Sequence, residues 1–218
     1  MFTLSEENYL KAIFHLGKRG SNSVSTNAIA NRMQTKASSV TDMLRKLSEK
    51  RLANYQKYKG VHLTEDGKLA AINVIRKHRL WETFLVNKLN FSWDEVHDIA
   101  EQLEHIKSEK LINQLDEFLG FPTHDPHGDP IPDEEGNMHR DQKILLSQVN
   151  AQVVCTCIGV KDSSSEFLKY LDKNDIALGT EIEIVSKESF DESIFLKVEN
   201  KELSISKDVA NNIYVKLN

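Results

Sequence analysis

Apolar residues recur at helical spacing through the first half of the chain and at strand spacing through its last third. In the first 20 residues Leu10, Ile13 and Phe14 form one apolar stripe, with Ser5 as N-cap, Glu6 and Glu7 in the first turn and Gly17 as stop. This predicts a helix. After a polar turn, Ser25 caps a short second helix with Ala28, Ile29, Ala30 and Met33 facing inward. A break at Gln34-Thr35 lets Thr35 cap a third helix. There Val40, Met43, Leu44 and Leu47 are the apolar face, while Lys36, Ser38, Ser39, Thr41, Arg45 and Lys46 stay polar. Two short helices joined by a tight turn, the second basic on its outer side, read as helix-turn-helix. Residues 52–57 and 61–64 flank Tyr58-Lys59-Gly60 as a hairpin, which extends the motif to a winged helix.

Thr64 is placed to cap a longer helix running to about residue 90, and Ser92-Trp93-Asp94-Glu95 forms a capping box for the next. Gly120-Phe121-Pro122 ends the helical region, and the stretch to Gly136 reads as a linker or ordered loop. From about residue 148 the pattern turns to β-rich runs at 153–160, 181–185, 194–198 and 213–217, interrupted by a helix-like segment at 166–171. A five-strand region of this size suggests a small SH3-like barrel. The expected fold class is mainly α with a C-terminal small β-barrel. It comprises a winged helix-turn-helix domain at 1–65, a helical domain at 66–140 and an SH3-like domain at 145–218.

With 39% apolar and 28% charged residues in 218, the composition excludes a disordered chain and a disulfide scaffold. Cys155 and Cys157 alternate on one strand face and read as reduced thiols of a cytoplasmic protein. The first residues lack a basic segment followed by an apolar core, and no apolar run approaches the roughly 20 residues of a membrane span. No export signal, anchor or membrane partner is therefore expected. The net charge of −5 hides an asymmetry: residues 1–63 hold eleven Lys/Arg against four acids, +7, which leaves −12 for the remainder. A basic front on an acidic body points to a polyanion partner for the front alone, and wing residues Lys57 and Lys59 suit a phosphate backbone.

The acidic body has its own pattern. His97, Glu101, Glu104 and His105 fall on one helical face, and His78 and Glu82 sit four apart on the preceding helix. Carboxylates and imidazoles without thiolate suit Mn(II) or Fe(II), with Zn(II), Co(II) or Ni(II) able to bind in vitro. His124, Asp125 and His127 form a further candidate group, read here as an ordered hydrophilic loop.

Three stretches together carry a resemblance: Arg76-Lys77-His78-Arg79-Leu80-Trp81-Glu82, then Val96-His97-Asp98 through Glu101, Glu104 and His105, then Pro126-His127-Gly128-Asp129-Pro130-Ile131-Pro132. They resemble the diphtheria-toxin-repressor family of metal-dependent transcriptional repressors. The resemblance covers nearly the whole chain and implies that 66–140 binds metal and dimerises. It implies a primary metal site of Asn8, Glu101, Glu104 and His105, and an ancillary site of His78, Glu82 and His97. Glu101 stands where iron-responsive members have cysteine, as in manganese-responsive ones, and Asn8 replaces their aspartate. Lys11 replaces the glutamate that short-type manganese sensors use for a second ion. An ammonium cannot ligate, so it is expected to pair with Glu82 or Glu101 and to favour two separated sites. The SH3-like domains of three-domain members also supply ligands, which points here to the stretch around Cys157 to Val160, where no carboxylate matches and Cys157 reads as a buried strand thiol rather than a ligand. Asp125 falls where some members place a ligating cysteine.

The expected function is a cytoplasmic homodimeric regulator, most simply a repressor and not an enzyme. It binds a pseudo-palindromic double-stranded DNA operator when loaded with Mn(II) or Fe(II). Lys36, Ser38, Ser39, Thr41, Arg45, Lys46, Lys57 and Lys59 are the residues expected at DNA. The alternative is a winged-helix regulator that senses an organic ligand or protein partner independently of metal.

Overall fold

A computed structural model describes every residue except Met1, Ser21, Arg140, Asp141 and Asn200. The boundary expected at residue 140 thus lies outside the described residues. The chain divides into two compact units, 1–78 with 101–113 and 132–137, and 79–100 with 114–131 and 138–218.

The first unit opens with α1 (Leu4–Leu16), α2 (Thr26–Arg32) and α3 (Ala37–Glu49), followed by the strands β1 (Ala53–Gln56) and β2 (Gly60–Leu63). The cap of α1 is Thr3 rather than the expected Ser5. Glu6 N donates to Thr3 Oγ1 at 3.3 Å and Thr3 N donates to the Glu6 carboxylate at 3.0 Å. This reciprocal box satisfies two end donors where Ser5 would satisfy one. Gly17 closes α1, since a side chain there would meet the Asn22 carbonyl at 2.9 Å. Ser25 caps α2 as expected. Thr35 does not cap α3: its N–H closes the end of α2 on the Ala30 carbonyl at 3.0 Å, and Lys36 takes the N-cap without a side-chain bond. Leu10, Ile13, Ile29, Val40, Leu44 and Leu47 are fully buried and hold the three helices together. The antiparallel β1–β2 hairpin is widened by a bridge from Val24 to Val61. Gly60 must be glycine, because at φ +92° a Cβ would meet the Val24 carbonyl at 2.5 Å.

Thr64 Oγ1 accepts from Gly67 N at 3.1 Å and so starts α4 (Glu65–Leu89). Next come α5 (Val96–Leu103) and α6 (Glu109–Phe118). Ser92 and Glu95 do bond, but as a turn before α5. Helix α5 also ends earlier than the four-residue face required, at Leu103, so Glu104 and His105 lie on the turn that follows.

The last part of the second unit contains β3 (Ile144–Leu145), β4 (Val153–Val160), α7 (Ser165–Lys173), β5 (Glu181–Lys187), β6 (Ile194–Val198), β7 (Lys201–Ile205), α8 (Lys207–Ala210) and β8 (Ile213–Leu217). Its strands form one antiparallel sheet in the order β3-β8-β4-β5-β6-β7. Among the described residues this sheet has six strands, one more than the five expected, and β3 and β7 are the two outside the four runs legible in the sequence. Cys155, Cys157, Ile182, Ile184, Leu196 and Val215 make the core with Leu168 and Leu171 of α7. Both thiols are unpaired, and burial pushes each up to about 11. Trp93 packs on this core and donates to Asp172 at 2.9 Å. The loop after α6 also folds onto β4: Val160 N donates to the His127 carbonyl at 2.9 Å, and a Cβ on Gly128 would lie 2.1 Å from the Ile158 carbonyl. No helix among the described residues is long and apolar enough to cross a membrane.

Candidate metal centre

Among the described residues, metal-ligating side chains are brought together within each unit. In the first, α1 brings Glu7, Asn8 and Lys11 to the end of α5. The His105 ring nitrogen Nδ1 donates to Glu7 Oε2 at 2.6 Å, so Nε2 is the nitrogen that faces Glu104 Oε1, at 3.8 Å. Glu104 has no exposed surface. Its Oε1 and the Asn8 Oδ1 are buried oxygens without a hydrogen-bond partner. Each such orphan costs about 1–3 kcal/mol unless something satisfies it. Asn8 follows Glu7 and lies one turn before Lys11, the two residues of α1 that reach His105 and Glu104. An amide oxygen, a carboxylate oxygen and an imidazole nitrogen are the donors a borderline-hard divalent cation takes, so this group fits a metal.

The remaining part of the group is already engaged. Lys11 Nζ donates to Glu101 Oε1 at 2.7 Å and to Glu104 Oε2 at 2.6 Å. His78 Nδ1 donates to the same Glu104 oxygen at 2.6 Å and stands 3.4 Å from the ammonium. Of the two carboxylates expected to pair with Lys11, Glu101 does so. Lys77, half-buried near Glu7 and Glu104, has its pKa lowered by burial against the pull of those acids.

In the second unit, Glu82 of α4 is joined by Asp125 and His127 of the loop, all three buried at 2%, 4% and 5% exposure. His127 Nδ1 is 3.5 Å from Glu82 Oε2, and its Nε2 donates to the Trp93 carbonyl at 2.8 Å. The ring stacks on that of Trp93. Burial works against the charged imidazole, but the hydrogen bond and charge of Glu82, with Asp125 and the Trp93 carbonyl, pull it up to about 9. Burial first, then the Glu82 charge, push Asp125 up to about 6, against the pull of Arg79. A cluster that crowds two acids around one imidazole, and distorts the proton affinity of both types, is chemically suited to a divalent cation. Asp125 is held in place by His127 N and Asp129 N, both donating to Oδ1 at 2.9 Å, with Arg79 Nε 3.4 Å from Oδ2. The loop read from sequence as merely hydrophilic thus contributes two buried side chains beside Glu82. His124 is not among them; it hydrogen-bonds Thr123 at 2.9 Å. His97, half-exposed, reaches the other Glu82 oxygen at 3.4 Å.

On the basic front, Lys36, Ser38, Ser39, Arg45 and Lys46 are exposed along α3, as are Lys57 and Lys59 on the hairpin tip. Thr41 is half-buried and its hydroxyl donates back to the Ala37 carbonyl at 3.0 Å. Lys57 Nζ lies 5.1 Å over the ring of Tyr58, which projects with 94% exposure.

Three family models match in chain order. They are the N-terminal DNA-binding domain of the iron-dependent repressors at 1–61, their metal-binding and dimerisation domain at 64–133, and the FeoA domain at 144–217. The solved structure of a manganese-dependent transcriptional repressor in complex with manganese superposes with a TM-score of 0.86 at 33% identity, covering 98% of this chain and 100% of that one. The chain belongs to the diphtheria-toxin-repressor family. The diphtheria toxin repressor of Corynebacterium diphtheriae is 27% identical over 220 residues, 96% of this chain and 95% of that protein. The iron-dependent repressor IdeR of Mycobacterium tuberculosis is 35% identical over 126 residues, 58% of this chain. The match spans about half, 54%, of the mycobacterial protein. Family membership accounts for the pairing of a basic winged front with buried carboxylate and histidine clusters. It does not by itself account for Lys11.

Proposed function

We propose that this chain is a cytoplasmic, homodimeric, metal-responsive transcriptional repressor. Residues 1–65 read DNA, 66–140 bind metal and dimerise, and 145–218 form an SH3-like barrel. The observation that carries this reading is the pair of orphaned buried oxygens, Asn8 Oδ1 and Glu104 Oε1, beside a histidine whose other nitrogen is fixed by Glu7. Asn8, Glu104 and His105, with Glu101 adjacent, are the proposed holders of one Mn(II) or Fe(II). Glu82, Asp125 and His127, with His97 on the second Glu82 oxygen, are the proposed holders of another. His78, Glu82 and His97 are the ancillary set that the family resemblance implies. When bound, a divalent ion would supply positive charge and directional bonds to the orphaned Asn8 Oδ1 and Glu104 Oε1 and to the carboxylates and imidazoles beside them.

The protein's own part is mechanical. Asn8 is on α1, which packs in the winged-helix core, and Glu104 and His105 are on the turn after α5. Drawing these donors together constrains α1, and with it the reading helix α3, in the pose that fits DNA. Metal changes DNA affinity only as far as it prefers that pose. At DNA, Ser38 and Ser39 reach base edges, and Lys36, Arg45, Lys46, Lys57 and Lys59 take phosphates. Thr41 contributes its methyl or an accepting lone pair, since its proton is used within α3. Two-fold symmetry requires half-sites about 34 Å apart or a multiple of it.

The test is DNA binding by the full chain after chelation and after readdition of Mn(II) or Fe(II). Binding should require metal, and His105→Ala should blunt the metal response with an unchanged circular dichroism spectrum. DNA affinity that survives chelation would instead support the metal-independent regulator.

A further inference from the structure

Lys11 occupies one of the places where the side chains of this protein could hold a cation. Donor atoms of His78, Glu101 and Glu104 lie within 4.8 Å of one another, a three-ligand constellation of oxygen and nitrogen. The Lys11 ammonium is seated among them, 2.7 Å from Glu101, 2.6 Å from Glu104 and 3.4 Å from His78. Only 11% of the lysine side chain is exposed and none of Glu104 is. Metal–donor bonds to carboxylate or imidazole are about 2.0–2.2 Å. An ion bonded to the same three donors would have to stand where Nζ stands. Two cations cannot share the position.

We infer that Lys11 is the resident cation of the His78–Glu101–Glu104 cluster, a tethered ammonium that closes this half of the centre to divalent metal. It thereby ties α1 to α5 without any metal. The inference rests on the proposed metal-responsive reading and sharpens it, because it assigns the two oxygens of Glu104 to different cations. Oε2 is saturated by Lys11 and His78. Oε1 is left over on the side of His105 Nε2, 3.8 Å away. The first unit therefore takes a single ion through Asn8, Glu104 Oε1 and His105. The covalent tether gives the ammonium a high effective concentration at its seat, so free metal has to outcompete a group that never diffuses away. His78 supports the arrangement by donating to the shared Glu104 oxygen, and it can become a ligand of this cluster only if Lys11 leaves.

The experiment counts Mn(II) bound per folded full-length chain, by equilibrium dialysis with the free ion read by electron paramagnetic resonance. Lys11→Ala should bind one ion more than the wild type, and Lys11→Arg, which keeps a cation in place, should bind the wild-type number. Equal numbers for wild type and a folded Lys11→Ala would overturn the inference. Should Lys11→Ala not fold, an anomalous-scattering map of the Mn(II)-loaded wild type decides: manganese bonded to both Glu101 and His78 with the lysine displaced overturns the inference, and its absence from that position upholds it. Failure of the broader reading looks different. It would show as a wild type that binds no manganese at all, while Lys11→Ala still gains its ion.

Discussion

His105 has one ring nitrogen to offer because Glu7 takes the other, at 2.6 Å. A carboxylate behind an imidazole fixes its tautomer and raises its basicity, and loss of such a partner weakens metal binding about 10–100-fold. Glu7→Ala should therefore lower Mn(II) affinity by that factor in a titration of the full chain. Glu7→Gln should fall between, because its amide oxygen still accepts from Nδ1–H. The residues of this first group were legible in sequence since Glu101, Glu104 and His105 lie within about one helical turn of one another. Glu7 was read only as a helix-start acid, and its partnership with His105 joins distant parts of the chain that spacing does not reveal. The same holds for Asp125 and His127, whose approach to Glu82 is created by the loop. The one available signal was the Asp-x-His spacing inside the family-like Pro126–Pro132 stretch. Cys157, in the stretch that the resemblance points to for ligands from the last domain, is buried in the sheet core, in line with its reading as a strand thiol. With each thiol pushed up to about 11, the thiolate fraction at pH 8 is about 0.001. Iodoacetamide should leave both cysteines unmodified in the native protein at pH 8 and label both in denaturant. Fast labelling of the native chain would contradict their burial.

At the level of elements, the loop that carries Asp125 and His127 depends on its seat against β4. Gly128 allows the approach, with φ +81° and only 2.1 Å between a would-be Cβ and the Ile158 carbonyl. Gly128→Ala must lift the loop off the strand and break the His127 carbonyl bond to Val160. It should weaken the Glu82–Asp125–His127 centre while sparing Asn8, Glu104 and His105. Mn(II) titration should then show one class of site weakened and the other unchanged. On the winged front, Lys57 and Lys36 each hold a phosphate independently in the proposed complex. Alanine at either should weaken binding to all DNA sequences alike and reduce the slope of log affinity against log salt by about 0.9 for each phosphate released. A change of sequence preference instead would move these lysines from backbone to base readout. The helices and hairpin behind this front were readable from periodicity and from caps such as Ser25, Thr64 and Gly17. The errors were local competitions between caps, as where Thr3 with Glu6 prevails over Ser5 and where the Thr35 N–H is taken up by α2. Strand β7 escaped because Lys201, Glu202 and Ser204 put charge and polarity on an exposed strand, and β3 because two residues carry no period.

For the whole molecule, the energetic question is whether the proposed ions suffice to switch the DNA-reading pose. Shifting a two-state population from 1:99 to 99:1 takes about 5.5 kcal/mol, whereas coupling between sites is typically about 1–3 kcal/mol. One ion is too little for a sharp switch. Two centres acting on the same equilibrium come close, and the Lys11 tie, present with or without metal, lowers what remains to be supplied. Loss of one centre should therefore weaken operator binding in part, and loss of both should reduce it to the level of the chelated protein. Linkage adds a stricter requirement: whatever factor metal adds to operator affinity, operator must add to metal affinity. At typical coupling this is about 5–150-fold. Mn(II) titrations with and without saturating operator DNA, at one fixed salt concentration, should give the same factor as DNA titrations with and without Mn(II). If metal affinity is indifferent to operator while operator affinity depends on metal, the two measurements cannot describe one equilibrium. The dependence on metal would then come from aggregation or from metal bound to the DNA itself.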